Sequence, residues 1–472
     1  MRANCRKDPA AGLPRDTRSL SLYLIGRRCA IPKEPRLYVG IDFSKNETHY
    51  AVHRADGQVL ERHRQYANSQ TGYEQAKAWL LQLVQEQAAG SVAVGGEATS
   101  YYWLPLYLQL VQDPTWAPYA LEPYLLNARW VKWFKKSRSP NHKDDRIDPG
   151  EIAEYIRFQP LKSVWRYDEH WLPLRFYTRL RAHLVKSLTR EKNLFDLYLF
   201  LAYSSYGHTH PFANSLGKTS QTLLADAELL HQLGELDLET FTQRLSEISN
   251  QRLPDPRRTA ERLQQVLHDS FPLAPALAAP IQHGLNLLLT TIQTLQTQIQ
   301  QVEGWIADLV QEGYPQVAWL DSVPGVGAVL ASGIAAEIGD LTRFTTVPIW
   351  DVHRQRNRPR TSGEVVDALS KYAGLWWPKN ASGQFEAEEL RLSREGNAYL
   401  RYYVLEAADW MRLRIPSFHS YYQAKFEQAT KHKHKRALVL TGSKALELFV
   451  TLLRRQEPYR AKEGDEPLLK VN

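Results

Sequence analysis

The sequence predicts an α/β domain followed by mostly helical regions, on three observations. Between residues 37 and 95, three strand-like runs, one helical run and a fourth apolar run succeed one another. Carboxylates fall at the ends of the outermost of these runs, at Asp42 and Glu97, and a further pair, Asp145 and Asp148, follows. Residues 174–200 and 275–312 then step by threes and fours, as helices do.

Taken in order, the pattern gives strands over 37–42 and 48–54, the turn Ala55-Asp56-Gly57, a strand over 58–65, a helix over 71–86 and a strand over 92–95. Three hairpin-connected strands, a crossover helix and a parallel fourth strand make a ribonuclease H-like sheet. Neighbouring strands lie about 4.8 Å apart, which brings Asp42 and Glu97 within reach of a shared metal ion. A helix over 101–112, a short strand near 119–121 and a helix over 126–134 come next. Asp148-Pro149-Gly150-Glu151 reads as a helix start, with Asp148 as N-cap and Pro149 in the first helical position, continuing to about Phe158.

Within the second long helix Leu285, Leu288, Ile292, Leu295, Ile299, Val302, Ile306 and Leu309 form a heptad-like seam. Residues 203–272, punctuated by Gly207, Pro211, Pro254 and Pro256, read as an irregular helical insert on a two-helix arm. Past Leu320 come Val323-Pro324-Gly325-Val326-Gly327, a small-residue helix over 328–338 and a basic loop over 353–360. The expected organisation is a disordered basic leader (1–35), the α/β domain (36–170), a helical coiled-coil region with its insert (171–315), a mostly α C-terminal domain (316–460) and a tail (461–472).

At 472 residues the chain exceeds one ordinary core. A formal charge of +8 favours a polyanionic partner. No window approaches the roughly 20 apolar residues of a membrane span, so a soluble protein is expected. Cys5 and Cys29 alone support neither a disulfide framework nor a zinc site, which fits a reducing cytoplasm. The leader's short apolar stretch is too poor for a signal peptide.

Carboxylates gathered at strand ends repel one another unless cations lie between them, and hard oxygen ligands select Mg²⁺ or Mn²⁺. Two such ions, about 3.5–4 Å apart, clamp the attacking and leaving oxygens of a phosphodiester. Asp42 stands where a strand residue should be apolar. Glu97 also suits a solvated turn, Asp148 is explained by capping alone, and spacing does not separate Asp145 from Asp144. Asn127, Arg129, Lys132, Lys135, Lys136, Arg138 and Lys143 interleave with Trp130, Trp133 and Phe134. Such a strip stacks bases and neutralises phosphates, although Trp130 and Phe134 share a helical face and also suit a core. Gly325 and Gly327 fit the hairpin of a helix-hairpin-helix module, whose backbone N–H groups bind phosphate. The run Lys431–Arg436 suits backbone phosphate contact.

These pieces resemble the insertion-sequence 110 family of transposases, the DEDD recombinases guided by a bridge RNA, over residues 36–460. The resemblance is carried by Gly40-Ile41-Asp42-Phe43-Ser44-Lys45, Glu97-Ala98-Thr99, Asn127-Ala128-Arg129, Lys143-Asp144-Asp145-Arg146-Ile147-Asp148, Val323–Gly327 with Glu337-Ile338-Gly339, Tyr372-Ala373-Gly374-Leu375, Pro378, Ser382-Gly383 and the run Ser393–Arg401. It implies a RuvC-like N-terminal domain with the metal-binding tetrad Asp42, Glu97, Asp145 and Asp148, a coiled-coil connection, and a C-terminal transposase domain whose nucleophile is Ser382. Asp144 stands where the family has threonine, and Pro149 where it has alanine. Ser362-Gly363 precedes the Gly-Leu motif and fits the serine position worse. Arg394, Asn397 and Arg401 are implied as nucleic-acid contacts. The resemblance further implies double-stranded donor and target DNA and a structured guide RNA as partners, a dimer assembling to a tetramer, a cytoplasmic, nucleoid-associated location, and phosphoserine-linked strand exchange. A RuvC-like junction-resolving endonuclease and a non-catalytic nucleic-acid-binding protein are the rival readings.

Overall fold

The computed structural model describes residues 35–138, 148–159, 164–346, 348–351, 355–377, 381–382, 385–386, 392–393, 395–461 and 465. The chain forms two compact units that part between Asp168 and Glu169. Lys143, Asp144, Asp145, Pro378 and Arg394, the 1–35 leader except Pro35, and the tail except Ala461 and Asp465 lie outside the described residues.

In the first unit, β1 (Arg36–Phe43), β2 (Glu47–Arg54) and β3 (Val59–Ala67) form an antiparallel meander. The β2–β3 turn closes on Gly57, whose φ of 92° suits glycine, while Asp56 accepts the Gln58 N–H at 3.0 Å. Ser69 then caps α1 (Gln70–Glu86) by accepting from the Gly72 N–H. The crossover delivers β4 (Ser91–Glu97) parallel to β1. After α2 (Leu104–Gln112), the expected strand near 119–121 is instead the end of a 3₁₀ turn over Pro114–Tyr119. Pro114 and Pro118 fix that turn, and Ala120 is left-handed with φ 41°, so β5 starts only at Glu122 and runs to Leu126. Five strands in the order β3-β2-β1-β4-β5 make the mixed, ribonuclease H-like sheet.

Both faces of this sheet are covered, which is why β1 and β4 are almost continuously apolar. Ile41 and Val94 meet Tyr73, Leu80, Leu106 and Leu110 of α1 and α2. The opposite face packs on α3 (Ala128–Arg138) and α4 (Asp148–Phe158): Ala93, Tyr124 and Leu126 bury Val131, Ile152 and Ile156. Ile152 and Ile156 are one helical turn apart, and burial of such side chains contributes about 1.5–3 kcal/mol each. The helix begins at Asp148 itself, one residue earlier than the capping pattern suggests.

In the second unit, α5 (Trp171–Ala202) and α11 (Pro275–Gly313) run antiparallel, as the pairs Tyr177–Trp305 and Arg181–Glu303 require. At 1.5 Å per residue, the 32 residues of α5 span about 48 Å. The segment joining them is more regular than its Pro and Gly residues suggest: α6 (Tyr206–Thr209), α7 (Lys218–Ala225), α8 (Ala227–Gly234), α9 (Leu238–Ile248) and α10 (Pro256–Asp269). Asp226, Asp237 and Asp255 each cap a new helix, so every break is followed by a restart. Phe241, Leu245, Leu263 and Val266 from these helices close over Phe195 of α5 and Leu285 and Ile292 of α11. The seam of α11 is therefore used largely within the chain.

The C-terminal part continues through α12 (Pro315–Asp321), α13 (Gly327–Ile338), α14 (Thr342–Thr345), the hairpin β6 (Ile349–Asp351) and β7 (Arg356–Arg358), α15 (Ser362–Ala373), the short ladder β8 (Ala381–Ser382) and β9 (Phe385–Glu386), then α16 (Ala398–Arg414), α17 (Pro416–Gln428) and α18 (Lys433–Arg455). Small residues in α13 allow close packing: a Cβ on Gly333 would lie 2.6 Å from the Tyr403 ring. Among the described residues no helix is long and apolar enough to cross a membrane.

Candidate active site

The acids are positioned by strand register. Ile41 pairs with Gly96, so Asp42 and Glu97 are the next residues on two adjacent parallel strands. Two glycines show which way they face. A Cβ on Gly40 would lie 1.9 Å from the Pro149 carbonyl oxygen, and one on Gly95 would lie 2.6 Å from Ile156 Cγ2, so both positions face α4. Side chains alternate along a strand, and Asp42 and Glu97, two residues further on, share that face. Because Gly40 lets α4 cross β1 at backbone contact, the start of the helix at Asp148 comes to the same end of the sheet.

One ammonium joins two of these carboxylates. Lys135 Nζ on α3 donates to Glu97 Oε1 at 2.9 Å and lies 3.2 Å from Asp148 Oδ1. Burial acts to lower the Lys135 pKa, but the Glu97 hydrogen bond and the charges of Glu97 and Asp148 outweigh it, and the net direction is upward. Lys135 thus stays charged inside the acid cluster. On the other flank of Asp42, the antiparallel register places His49 directly opposite, and the His49 and His63 rings meet at 2.8 Å between nitrogens. His53, four residues further along β2, lies 3.4 Å from Glu154 of α4.

Outside this cluster, α3 turns a cationic and aromatic surface outward. Asn127 starts the helix by accepting the Arg129 N–H at 2.9 Å. Val131 is fully buried, and Phe134 packs on Tyr155 and Phe158 of α4. Trp130 and Trp133 remain 54% and 46% exposed, edge to face at 5.1 Å, with Arg129 over the Trp133 ring. The inward face is centred on Val131 and Phe134, which turns Trp130 outward despite its four-residue spacing from Phe134. Lys132 and Lys136 are exposed, whereas Lys135 points to the acids.

In the second unit, Gly374 ends α15 in the left-handed conformation (φ 70°), and Ser382 lies beyond it on β8, paired with Phe385 of β9. Ser362 is the first residue of α15 and accepts a hydrogen bond from Arg454. Asn397 caps α16 and donates to Glu337 Oε2 at 2.6 Å and to the Tyr372 hydroxyl at 3.0 Å. Glu337 is fully buried and accepts from two nitrogens of Arg179, Nε at 2.7 Å and Nη2 at 2.8 Å. Arg401 donates to the Ala373 carbonyl at 3.1 Å. Asn397 and Arg401 therefore reach protein partners that hold the start of α16 against the end of α15 and against Glu337. Gly325 (φ 96°) and Gly327 (φ 64°) form the turn from α12 to α13, with Gly325 against the Trp410 backbone and open space at Gly327.

A DEDD-type family model described as a transposase matches residues 39–202, and another described as the transposase IS116/IS110/IS902 family matches residues 362–423. The chain belongs to the IS110 family of transposases. None of the curated proteins compared matches it. The two matches of this IS110 transposase fall on the sheet with its acids and on the helices around the Ser382 ladder. Membership makes it a phosphoryl-transfer enzyme of DNA transposition whose DEDD domain uses divalent metal.

The residues present fit such a metal. Carboxylate oxygens are the donor type that hard divalent cations take, and a cationic group already sits between two of them. Among the described residues no group of three or more His, Cys, Asp and Glu stands gathered as a metal cage. Lys135, which the sequence suggests as a nucleic-acid contact, lies instead against Glu97 and Asp148, and His49 is a neighbour of the acids that sequence reading does not single out. His49 has a signal, since the hairpin register places it beside Asp42, but nothing in the sequence directs Lys135 inward while Lys132 and Lys136 point out.

Proposed function

We propose that this transposase cuts and rejoins DNA through a phosphoserine link on Ser382, with Mg²⁺ or Mn²⁺, as a pair of ions, held by Asp42, Glu97, Asp145 and Asp148. The carrying observation is that Asp42 and Glu97 share one sheet face at the end where Lys135 ties Glu97 to Asp148. Metal bound there supplies charge neutralisation on the phosphoryl oxygens. Ser382 Oγ forms a bond to phosphorus as the P–O bond to one sugar breaks. The serine proton passes to a base, and the departing sugar oxygen takes one up. One phosphoester replaces another, so a second sugar hydroxyl reverses the step and frees the serine.

Arg129, Lys132 and Lys136 with the exposed Trp130 and Trp133 give phosphate and stacking contacts for nucleic acid. The exposed cations Lys431, Lys433 and Lys435 add backbone contacts. Double-stranded donor and target DNA are the substrates, and an element-encoded bridge RNA reads them by base pairing while the protein holds shape and backbone. Assembly as a dimer and then a tetramer is supported by Leu194, Leu197 and Leu201 on α5, exposed at three- and four-residue steps.

Ser382→Ala provides the test. With Mg²⁺, cognate DNA and guide RNA, the unsubstituted chain is expected to leave DNA covalently attached to protein on denaturing gels, and Ser382→Ala to leave none. Hydrolytic nicking that persists in Ser382→Ala without any adduct in either protein would instead support the junction-resolving nuclease.

A further inference from the structure

Lys135 does something in this cluster that neither family membership nor the proposed chemistry assigns. Its ammonium contacts one oxygen of Glu97 and one of Asp148, with 21% of the side chain exposed. We propose that Lys135 is an exchangeable internal counter-ion, which holds Glu97 and Asp148 together before metal arrives and yields its place to the divalent cation. This rests on reading those carboxylates as metal ligands.

Three physical points support the exchange. Two carboxylates brought together without a cation repel each other, so the ammonium stabilises the arrangement that the metal later uses. A hard cation such as Mg²⁺ binds oxygen at about 2.0–2.1 Å, and placing it on oxygens that Nζ already contacts at 2.9 and 3.2 Å would set two cations side by side. Occupation by one therefore opposes occupation by the other. Lysine also suits departure: its four-carbon stem is flexible, and α3 carries the exposed Arg129, Lys132 and Lys136 close by, the cationic strip where DNA phosphate offers the freed ammonium a new partner. Metal and DNA would then favour each other's binding, since linkage is reciprocal.

The test measures Mn²⁺ binding to the full-length protein without nucleic acid, by titration calorimetry, alongside melting in chelator. Lys135→Met, which keeps an unbranched side chain one atom shorter and removes its charge, is expected to bind Mn²⁺ about 10-fold more tightly than the unsubstituted protein. It should also melt lower in chelator and recover with Mn²⁺, whereas Lys135→Arg should gain no affinity. A merely structural lysine would not raise metal affinity when removed. If Lys135→Met does not fold, Lys135→Gln carries the same comparison. Mn²⁺ affinity that is unchanged or weaker in the neutral variant overturns the exchange. Glu97→Gln in the neutral background separates the two readings: binding lost with Glu97→Gln but unmoved by Lys135→Met sinks only the role of Lys135, whereas binding that survives Glu97→Gln undiminished sinks the metal site itself.

Discussion

Asp42→Asn is expected to abolish strand cleavage by the full-length protein with Mg²⁺, DNA and guide RNA, lowering the rate by about 10³-fold or more. The amide has the shape of the carboxylate but no charge with which to hold a cation. The fold has little reason to change: Ile41 and Phe43, the neighbours of Asp42, make the strand's apolar contacts on the opposite face and are nearly fully buried. DNA retention is therefore expected to persist, because the exposed cations of α3 are untouched. Cleavage rates and gel-shift retention measured on the same preparation check both halves, and cleavage at the unsubstituted rate would remove Asp42 from the chemistry.

The other large effect comes from a residue with no side chain. A Cβ at Gly40 would lie 1.9 Å from the Pro149 carbonyl oxygen and 2.4 Å from the Ala153 nitrogen, and both are backbone atoms of α4 that no rotamer change can move. Gly40→Ala therefore has to displace the helix. Overpacking of this kind costs about 1–3 kcal/mol, and more where backbone must shift. The displacement also carries Asp148 away from Glu97, and a misplacement of about 1 Å in a catalytic arrangement costs on the order of 10²-fold in rate. A fall of several degrees in melting temperature, about what such a cost implies, is expected together with near-complete loss of cleavage. Gly363 makes the control, because a Cβ there meets nothing within 4 Å. Gly363→Ala should melt and cleave as the unsubstituted protein does, and a Gly40→Ala protein that did likewise would show that α4 does not need its close approach to β1.

These two residues also mark how far the sequence could be read. Asp42 and Glu97 stand out because the strands carrying them are buried on both faces, so a carboxylate at the end of such a run is conspicuous. Their shared face follows from register, which the hairpin and crossover order imply. Gly40 carries a signal of the same kind, but the helix that it admits lies more than a hundred residues away in sequence. The third strand of the parallel set is less legible, because Pro114, Pro118 and the left-handed Ala120 shift its start to Glu122. The segment between α5 and α11 reads as irregular from its prolines, yet Asp226, Asp237 and Asp255 restart helices after the breaks. Rotation of α3 about its axis decides that Lys135 joins the acids and Trp130 faces solvent, and local spacing does not set that rotation. Asn397 and Arg401 show the same limit, since their motif is legible while the protein partners that hold them come from distant segments.

Iron-directed backbone cleavage tests most directly whether divalent metal is held where β1, β4 and α4 meet. Fe²⁺ substituted for Mg²⁺ in the full-length protein, with ascorbate and peroxide, releases radicals that cut the chain beside the bound ion. Fragments ending near Asp42, Glu97 and Asp148 are expected, and they should disappear in Asp42→Asn. Cuts confined to other segments, or an unaltered pattern in Asp42→Asn, would place the metal elsewhere and contradict the proposed chemistry.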